Sequence, residues 1–245
     1  MNRRYDYHDE EKDKEFNISS MTKYLKEKHE IDKKLEKIIT PYIESKKLKI
    51  LDACCGIGHI SHFLSKISPE TDILGIDQTS YLIEEAKKLS NNSRLSFEIG
   101  DIYDLPKKYD KNFDISVCWK TLSWLPYYDE IMKSLISCTK NYIFLSALFY
   151  EGEIDFQIKV REYKKEKGKD DFTLYYNVYS LPHFKKFVFE QGVKNVDVYD
   201  FDISIDIPKS DKDYMGTYTE KLENGKRLQI SGAVLMSWKI IKIGI

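Results

Sequence analysis

Several kinds of residue and pattern are scarce in this 245-residue chain, and each absence excludes something. There are four cysteines, Cys54, Cys55, Cys118 and Cys138, and no two stand in a C-x-x-C pair, so neither a zinc site nor a disulfide framework is expected. No run of about 18 apolar residues occurs, which excludes a membrane-spanning helix. The opening "MNRRYDYHDEEKDKEF" has no apolar stretch behind its arginines and does not read as an export signal. Free thiols without such a signal predict a cytoplasmic protein. An excess of one charge is missing too. Charged residues make up 32% of the chain, yet the formal net charge is -1, so a polymeric nucleic acid is not the expected partner.

What is present is a regular alternation of apolar strands and amphipathic helices, the signature of a doubly wound, mostly parallel α/β sheet. The stretch from Met21 to Tyr42 predicts one helix, with Ile31, Leu35, Ile38, Ile39 and Tyr42 on a single face. "KILDA", "DILGID", "RLSFEIG", "FDISVCW" and "NYIFLSALF" predict five strands with helices between them. Ser180 and Pro182 predict a helix start, and Gly192 its end. "VKNVDVYDFDI" and "RLQISGAVLMSWKIIKI" read as two last strands, with Asn224-Gly225 as a hairpin signal between them. The whole of 1–245 reads as a single domain. Residues 1–44 form a helical lid in this reading, and 150–182 an inserted cap.

The chemistry concentrates in "KILDACCGIGHISHFL", a strand, a glycine turn and a helix start. In an open α/β sheet, ligands bind beyond the carboxyl ends of the strands. Gly56 and Gly58 allow close approach to the backbone, and the helix start favours an acceptor or a negative group. An acid, Asp52, precedes the turn. A second acid, Asp77, ends the second strand 25 residues later, and a third, Asp101, follows the third strand.

These three acids in order, with the glycines of D-x-G-x-G-x-G, resemble the class I methyltransferases that use S-adenosylmethionine (SAM). The resemblance covers residues 45–150 well. Cys54 replaces the first glycine, which implies a position with no need for positive φ. The resemblance implies a seven-stranded Rossmann-like sheet and a SAM site made of Asp52, Cys54, Gly56, Gly58, Asp77, Gln78, Asp101, Ile102 and Trp119. Asp77 would accept both ribose hydroxyls, Asp101 the adenine amino group, and Ile102 would lie beside the ring. Cys54 and Cys55 read as small packed groups rather than ligands.

A SAM enzyme must align its acceptor with the activated methyl group and keep water out. Neither the DPPY-like tetrad nor a PC dipeptide of DNA methyltransferases is present. The candidate acceptor residues are Lys120 after the fourth strand, Tyr150, Tyr176, Asn177 and Tyr179 in the cap, and Arg227 in the tail. His183, Asp202 and Arg227 are the candidates for proton transfer or charge stabilisation. Arg161 and Tyr175 also belong to the cap. The tail loosely resembles methyltransferases found with bacterial surface-polysaccharide genes. That implies a small-molecule acceptor: a sugar, a nucleotide-linked sugar, or a phosphorylated or phosphoramidate group methylated at oxygen. The expected state is a monomer or homodimer, with no metal. Two rivals are an NAD-dependent oxidoreductase, which lacks its third glycine here, and a SAM-binding protein without turnover.

Overall fold

The structure, a computed structural model, describes residues 14–160, 174–209, 216–231, 234–235 and 238–245. Arg161 and the centre of the predicted cap lie outside the described residues.

Five strands run in parallel: β1 (Lys49–Ala53), β2 (Asp72–Asp77), β3 (Leu95–Ile99), β4 (Phe113–Cys118) and β5 (Thr139–Tyr150). Helices α1 (Lys14–Lys26), α2 (Glu30–Ile43), α3 (His59–Ile67), α4 (Ser80–Leu89), α5 (Pro106–Tyr109) and α6 (Asp129–Cys138) precede or connect them. Beyond β5 come the short strands β6 (Lys159–Val160), β7 (Leu174–Tyr175) and β8 (Val178–Ser180), then α7 (Leu181–Glu190) and β9 (Asn195–Asp200). The chain ends with β10 (Thr217–Lys221), β11 (Arg227–Ser231), β12 (Val234–Leu235) and β13 (Trp238–Gly244). The main sheet has the order β3-β2-β1-β4-β5-β13-β9, with β13 antiparallel to both neighbours and β8 added beside the end of β5. The predicted seven-stranded doubly wound sheet is present, with β8 as a short eighth strand. No helix among the described residues is long and apolar enough to cross a membrane.

Burial on both faces explains the continuous apolar runs of the central strands. Ile143 through Phe149 are all buried in β5. One core lies under α2, α3 and α4, with Leu35, Ile39, Leu64, Ile83 and Phe144. The other lies under α6 and α7, with Leu135, Ile143, Leu145 and Phe184. Each such side chain contributes about 1.5–3 kcal/mol by leaving water.

Two predicted elements are corrected. The single helix over 21–42 is two helices, α1 and α2, broken before Glu30. Asp32 causes the break: its carboxylate accepts the His29 N–H at 3.2 Å and so caps a new helix start. The last predicted strand is three strands. Arg227–Ser231 and Val234–Leu235 turn away as β11 and β12 and join β10 in a separate three-stranded sheet. The Asn224-Gly225 turn joins β10 to β11, not β9 to β11. Ser180 caps α7 as expected, accepting the His183 N–H at 3.3 Å.

Candidate functional site

The carboxyl ends of β1, β2 and β3 bring the three acids to one edge of the sheet. Asp52 is 1% exposed, and its Oδ2 accepts from the Ser61 N–H (3.0 Å) and hydroxyl (2.7 Å). Burial pushes its carboxyl up to about 7 against the pull of those two bonds. Asp52 thus fastens the start of α3 to the end of β1.

The loop between them runs through left-handed backbone at Cys54 (φ 59°), Gly56 (φ 56°) and Gly58 (φ 80°). Gly58 has no room for a side chain, because a Cβ there would stand 2.5 Å from the Phe97 ring. The expectation that Cys54 needs no positive φ is overturned. The strand must leave the sheet through a left-handed residue whatever side chain stands there. The Cys54 thiol meets the Cys118 thiol at the end of β4, and that hydrogen bond, with burial behind it, pushes its pKa well up. Cys55 is buried, and all four cysteines are free.

Asp77 ties this loop to β2. Its Oδ2 accepts the Gly56 N–H at 2.9 Å and its Oδ1 accepts the Thr79 N–H at 3.0 Å. A carboxylate oxygen has two lone pairs, so accepting these amides does not exhaust the group. Asp101 Oδ1 accepts the Tyr103 N–H at 2.9 Å. Ile102, expected beside a ring, is buried in the core against Leu105 and Ile76, while Gln78 is exposed. The open apolar side chain at this edge is instead Ile99, 59% exposed at the tip of β3. Sequence reasoning missed it, though it extends the buried Leu95–Phe97 face past the cover of α4. Helix α1 covers the loop from outside. Ile18, Met21 and Leu25 pack with Ile57, Tyr81 and Leu82, and Asn17 donates to the Tyr81 hydroxyl at 2.9 Å. A left-handed loop at a helix start, flanked by two carboxylates and an open apolar side chain, suits a nucleoside with a charged tail.

The acceptor half begins where β4 ends. Lys120 has φ 55°, and its N–H donates to the Ser146 hydroxyl of β5 at 2.9 Å. Trp119 is 4% exposed and spends its indole N–H on Asp32 at 2.7 Å. Trp119 is thus tied to α2 through its indole N–H. Lys120 Nζ lies 3.8 Å from the same Asp32. Burial lowers the Lys120 ammonium below its ordinary range, with Asp32 opposing. Burial and Lys120 also hold His59 down at about 3, and burial lowers His29. This buried polar group of α2, α3 and β4 was largely missed. Its signal was an acid, Asp32, beside Ile31 at the edge of the apolar stripe of α2.

Several predicted acceptor residues have other work. Asn177 is fully buried; its Nδ2 donates to the Leu125 carbonyl at 2.8 Å and its Oδ1 accepts the Ile158 N–H at 3.0 Å. The Tyr179 hydroxyl donates to the same Leu125 carbonyl at 2.5 Å. Both latch the cap onto the turn after β4 through these hydrogen bonds. Arg227 pairs with Asp206 through Nε at 2.7 Å and a second bond at 3.1 Å, and is not an uncommitted cation. His183 and Asp202 are exposed. Tyr150 is 39% exposed and stacks edge-on with Phe156. Tyr176 is buried, with its ring 4.8 Å from that of Trp124, a residue not singled out from the sequence.

Comparison with known proteins agrees with this geometry. A family model described as a methyltransferase domain matches residues 44–213. The malonyl-[acyl-carrier protein] O-methyltransferase of Bacillus cereus is 27% identical over 94 residues, 38% of this chain and 34% of that protein. The chain spans about a third to a half of the length of the first curated relatives it matches. A SAM-dependent methyltransferase from Mesorhizobium loti superposes with a TM-score of 0.56 at 10% identity, covering 89% of this chain and 99% of that one. Magnesium protoporphyrin IX methyltransferase from Synechocystis, with bound S-adenosylhomocysteine, superposes at 0.52 and 14% identity, covering 86% and 80%. At such identities the structures speak for the fold alone. Fold, loop, the order of the three acids and the family match agree: the chain belongs to the class I SAM-dependent methyltransferase family.

Proposed function

We propose that this protein transfers a methyl group from SAM to a small polar acceptor, at an oxygen of a sugar, a nucleotide-linked sugar, or a phosphorylated or phosphoramidate group. The observation that carries the reading is the junction of Asp77 with the Gly56 amide. It places a carboxylate and a left-handed loop together at the end of β2, opposite the Lys120 turn.

Bound SAM supplies a methyl group already activated on sulfonium sulfur. The chain's own task is to bind, orient and dry the site. Asp77 would receive the ribose hydroxyls and Asp101 the adenine amino group, with Ile99 against the ring. Asp52 keeps α3 in place beneath the loop. Lys120, held by Ser146 and Asp32, would set a positive charge against an anionic or deprotonating oxygen acceptor. Residues 1–44 serve in this reading as a lid, since α1 already lies on the glycine loop. Four free thiols fit a reducing, cytoplasmic setting. The balanced charge fits a small acceptor better than a nucleic acid. A monomer or homodimer suffices for such a site.

Calorimetric titration with S-adenosylhomocysteine, with NAD as control, tests the cofactor half. Micromolar binding of the first alone is expected; binding of NAD alone would defeat the reading. Transfer of labelled methyl from SAM to UDP-glucose and to glucose 1-phosphate, against a transfer-RNA control, tests the acceptor class.

A further inference from the structure

Three basic side chains from three elements gather beside the glycine loop. His29 stands just before α2, His59 opens α3 directly after Gly58, and Lys120 follows β4. They act on one another. The Lys120 charge works against protonation of both histidines, and His29 works against that of His59. Two acids oppose this: Asp32, which acts on all three groups, and Glu27, which acts on His29.

Asp32 is the inner member of the group. Its side chain is 4% exposed, against 22% for Lys120. Its Oδ1 accepts the Trp119 indole N–H at 2.7 Å and stands 3.8 Å from Lys120 Nζ, while its Oδ2 accepts the His29 N–H at 3.2 Å. The carboxylate is thus enclosed and bound to two N–H groups, and the ammonium lies at its open side. His29 and His59 are half-buried, so each of the three basic side chains keeps an edge to solvent.

Burial and Lys120 together keep the two imidazoles from taking up protons. An incoming anion would relieve both constraints. It offsets the ammonium, and it lets an imidazole bind a proton and donate it in a charge-assisted hydrogen bond. Donors from three elements suit the three terminal oxygens of a phosphate. SAM is the poorer match for these groups. Its methionine tail pairs a carboxylate with an ammonium, and the sulfonium leaves the cofactor net positive. Three basic side chains favour the partner that is net negative.

We propose that Lys120, His59 and His29 form a phosphate subsite for the methyl acceptor. The inference rests on the methyltransferase reading above and narrows it. The acceptor would be a nucleotide-linked sugar or another phosphorylated molecule rather than a free sugar.

Proton NMR of the imidazole Cε1–H signals tests this. The protein is saturated with S-adenosylhomocysteine above neutral pH, and inorganic phosphate replaces chloride at constant ionic strength. His62, on which Lys66 acts rather than this group, and the exposed His183 are internal controls. Saturable downfield movement of the His29 and His59 signals at millimolar phosphate is expected, with the controls still. Lys120→Met should weaken the response about tenfold, with S-adenosylhomocysteine affinity near wild type. His59→Gln, read at His29, should weaken it as well and serves where Lys120→Met does not fold. Movement no larger than that of the controls, or a response that neither variant weakens, overturns the proposal. So does a response that bound S-adenosylhomocysteine abolishes, because the anion would then occupy the cofactor's place. Failure of the wild-type protein to bind S-adenosylhomocysteine would instead defeat the cofactor reading, and the phosphate titration of the unliganded protein and its variants would decide on the subsite.

Discussion

Asp77 Oδ2 accepts the Gly56 N–H at 2.9 Å, so the acid that ends β2 also shapes the loop that follows β1. One carboxylate thus ties the end of β2 to the loop after β1, and on the function proposed above it also receives the ribose hydroxyls.

Asp77→Ala should therefore weaken S-adenosylhomocysteine binding by about 1–3 kcal/mol, through unpaired donors on both ligand and loop. Calorimetry reads this directly. An unchanged affinity would take Asp77 out of the site.

Cys54 has a φ of 59°, a region that costs a side-chain-bearing residue of order 1–2 kcal/mol and suits a β-branched one worst. Cys54→Gly should keep the fold and the cofactor affinity. Cys54→Val should destabilise the protein by more than about 1 kcal/mol in urea denaturation. Equal stability of the two variants would show that the loop does not need this conformation.

Asp52 and His59 oppose each other in acid. The Asp52 carboxyl rises from 3.8 to about 7 on folding, so its contribution to stability is greatest below 3.8 and is lost as pH rises to about 7. The His59 imidazole falls from 6.5 to about 3, so its contribution is full above 6.5 and is lost as pH falls. Between about pH 4 and 6.5 the two slopes largely cancel. Asp52→Asn should make stability drop on acidification across that window. His59→Gln should make it rise. Denaturation midpoints of both variants that track the wild type across the window would refute the pair of shifts.

Tyr179→Phe and Asn177→Ala remove buried bonds to the Leu125 carbonyl, and each should cost about 1–3 kcal/mol of stability. Because both side chains work as latches, the variants' affinity for S-adenosylhomocysteine should stay near wild type when measured well below their melting temperatures. A stable Asn177→Ala protein with lost acceptor use would return Asn177 to the list of ligand groups.

The strand and helix alternation was legible because β1 to β5 are buried on both faces and their apolar runs are bounded by acids and glycines. The edge proposed for the cofactor was legible for a related reason: each of its three acids sits at or just past a strand end. Hydrogen bonds between distant residues were not legible. Asp32 breaks the first predicted helix and reaches Trp119, 87 positions away, which no local pattern announces. The spacing of "RLQIS" is right for a strand, but alternation alone does not say which face is inside, and β11 buries its polar one. Cys54 misled for another reason. A missing glycine was read as a relaxed backbone, whereas the turn dictates φ and the side chain accommodates it.

β5 changes partners along its length. Its residues up to Leu145 pair with β4, and Leu148–Tyr150 pair with β8 along the same edge. The loops proposed for the cofactor hang from one stretch of the sheet, while β8 and the strands that follow it hang from another. On the function proposed above, insertions, deletions and exchanges beyond Leu148 would remodel what is methylated while leaving the methyl donor's berth intact, which would make the tail of this chain the place to evolve or engineer new substrate preferences.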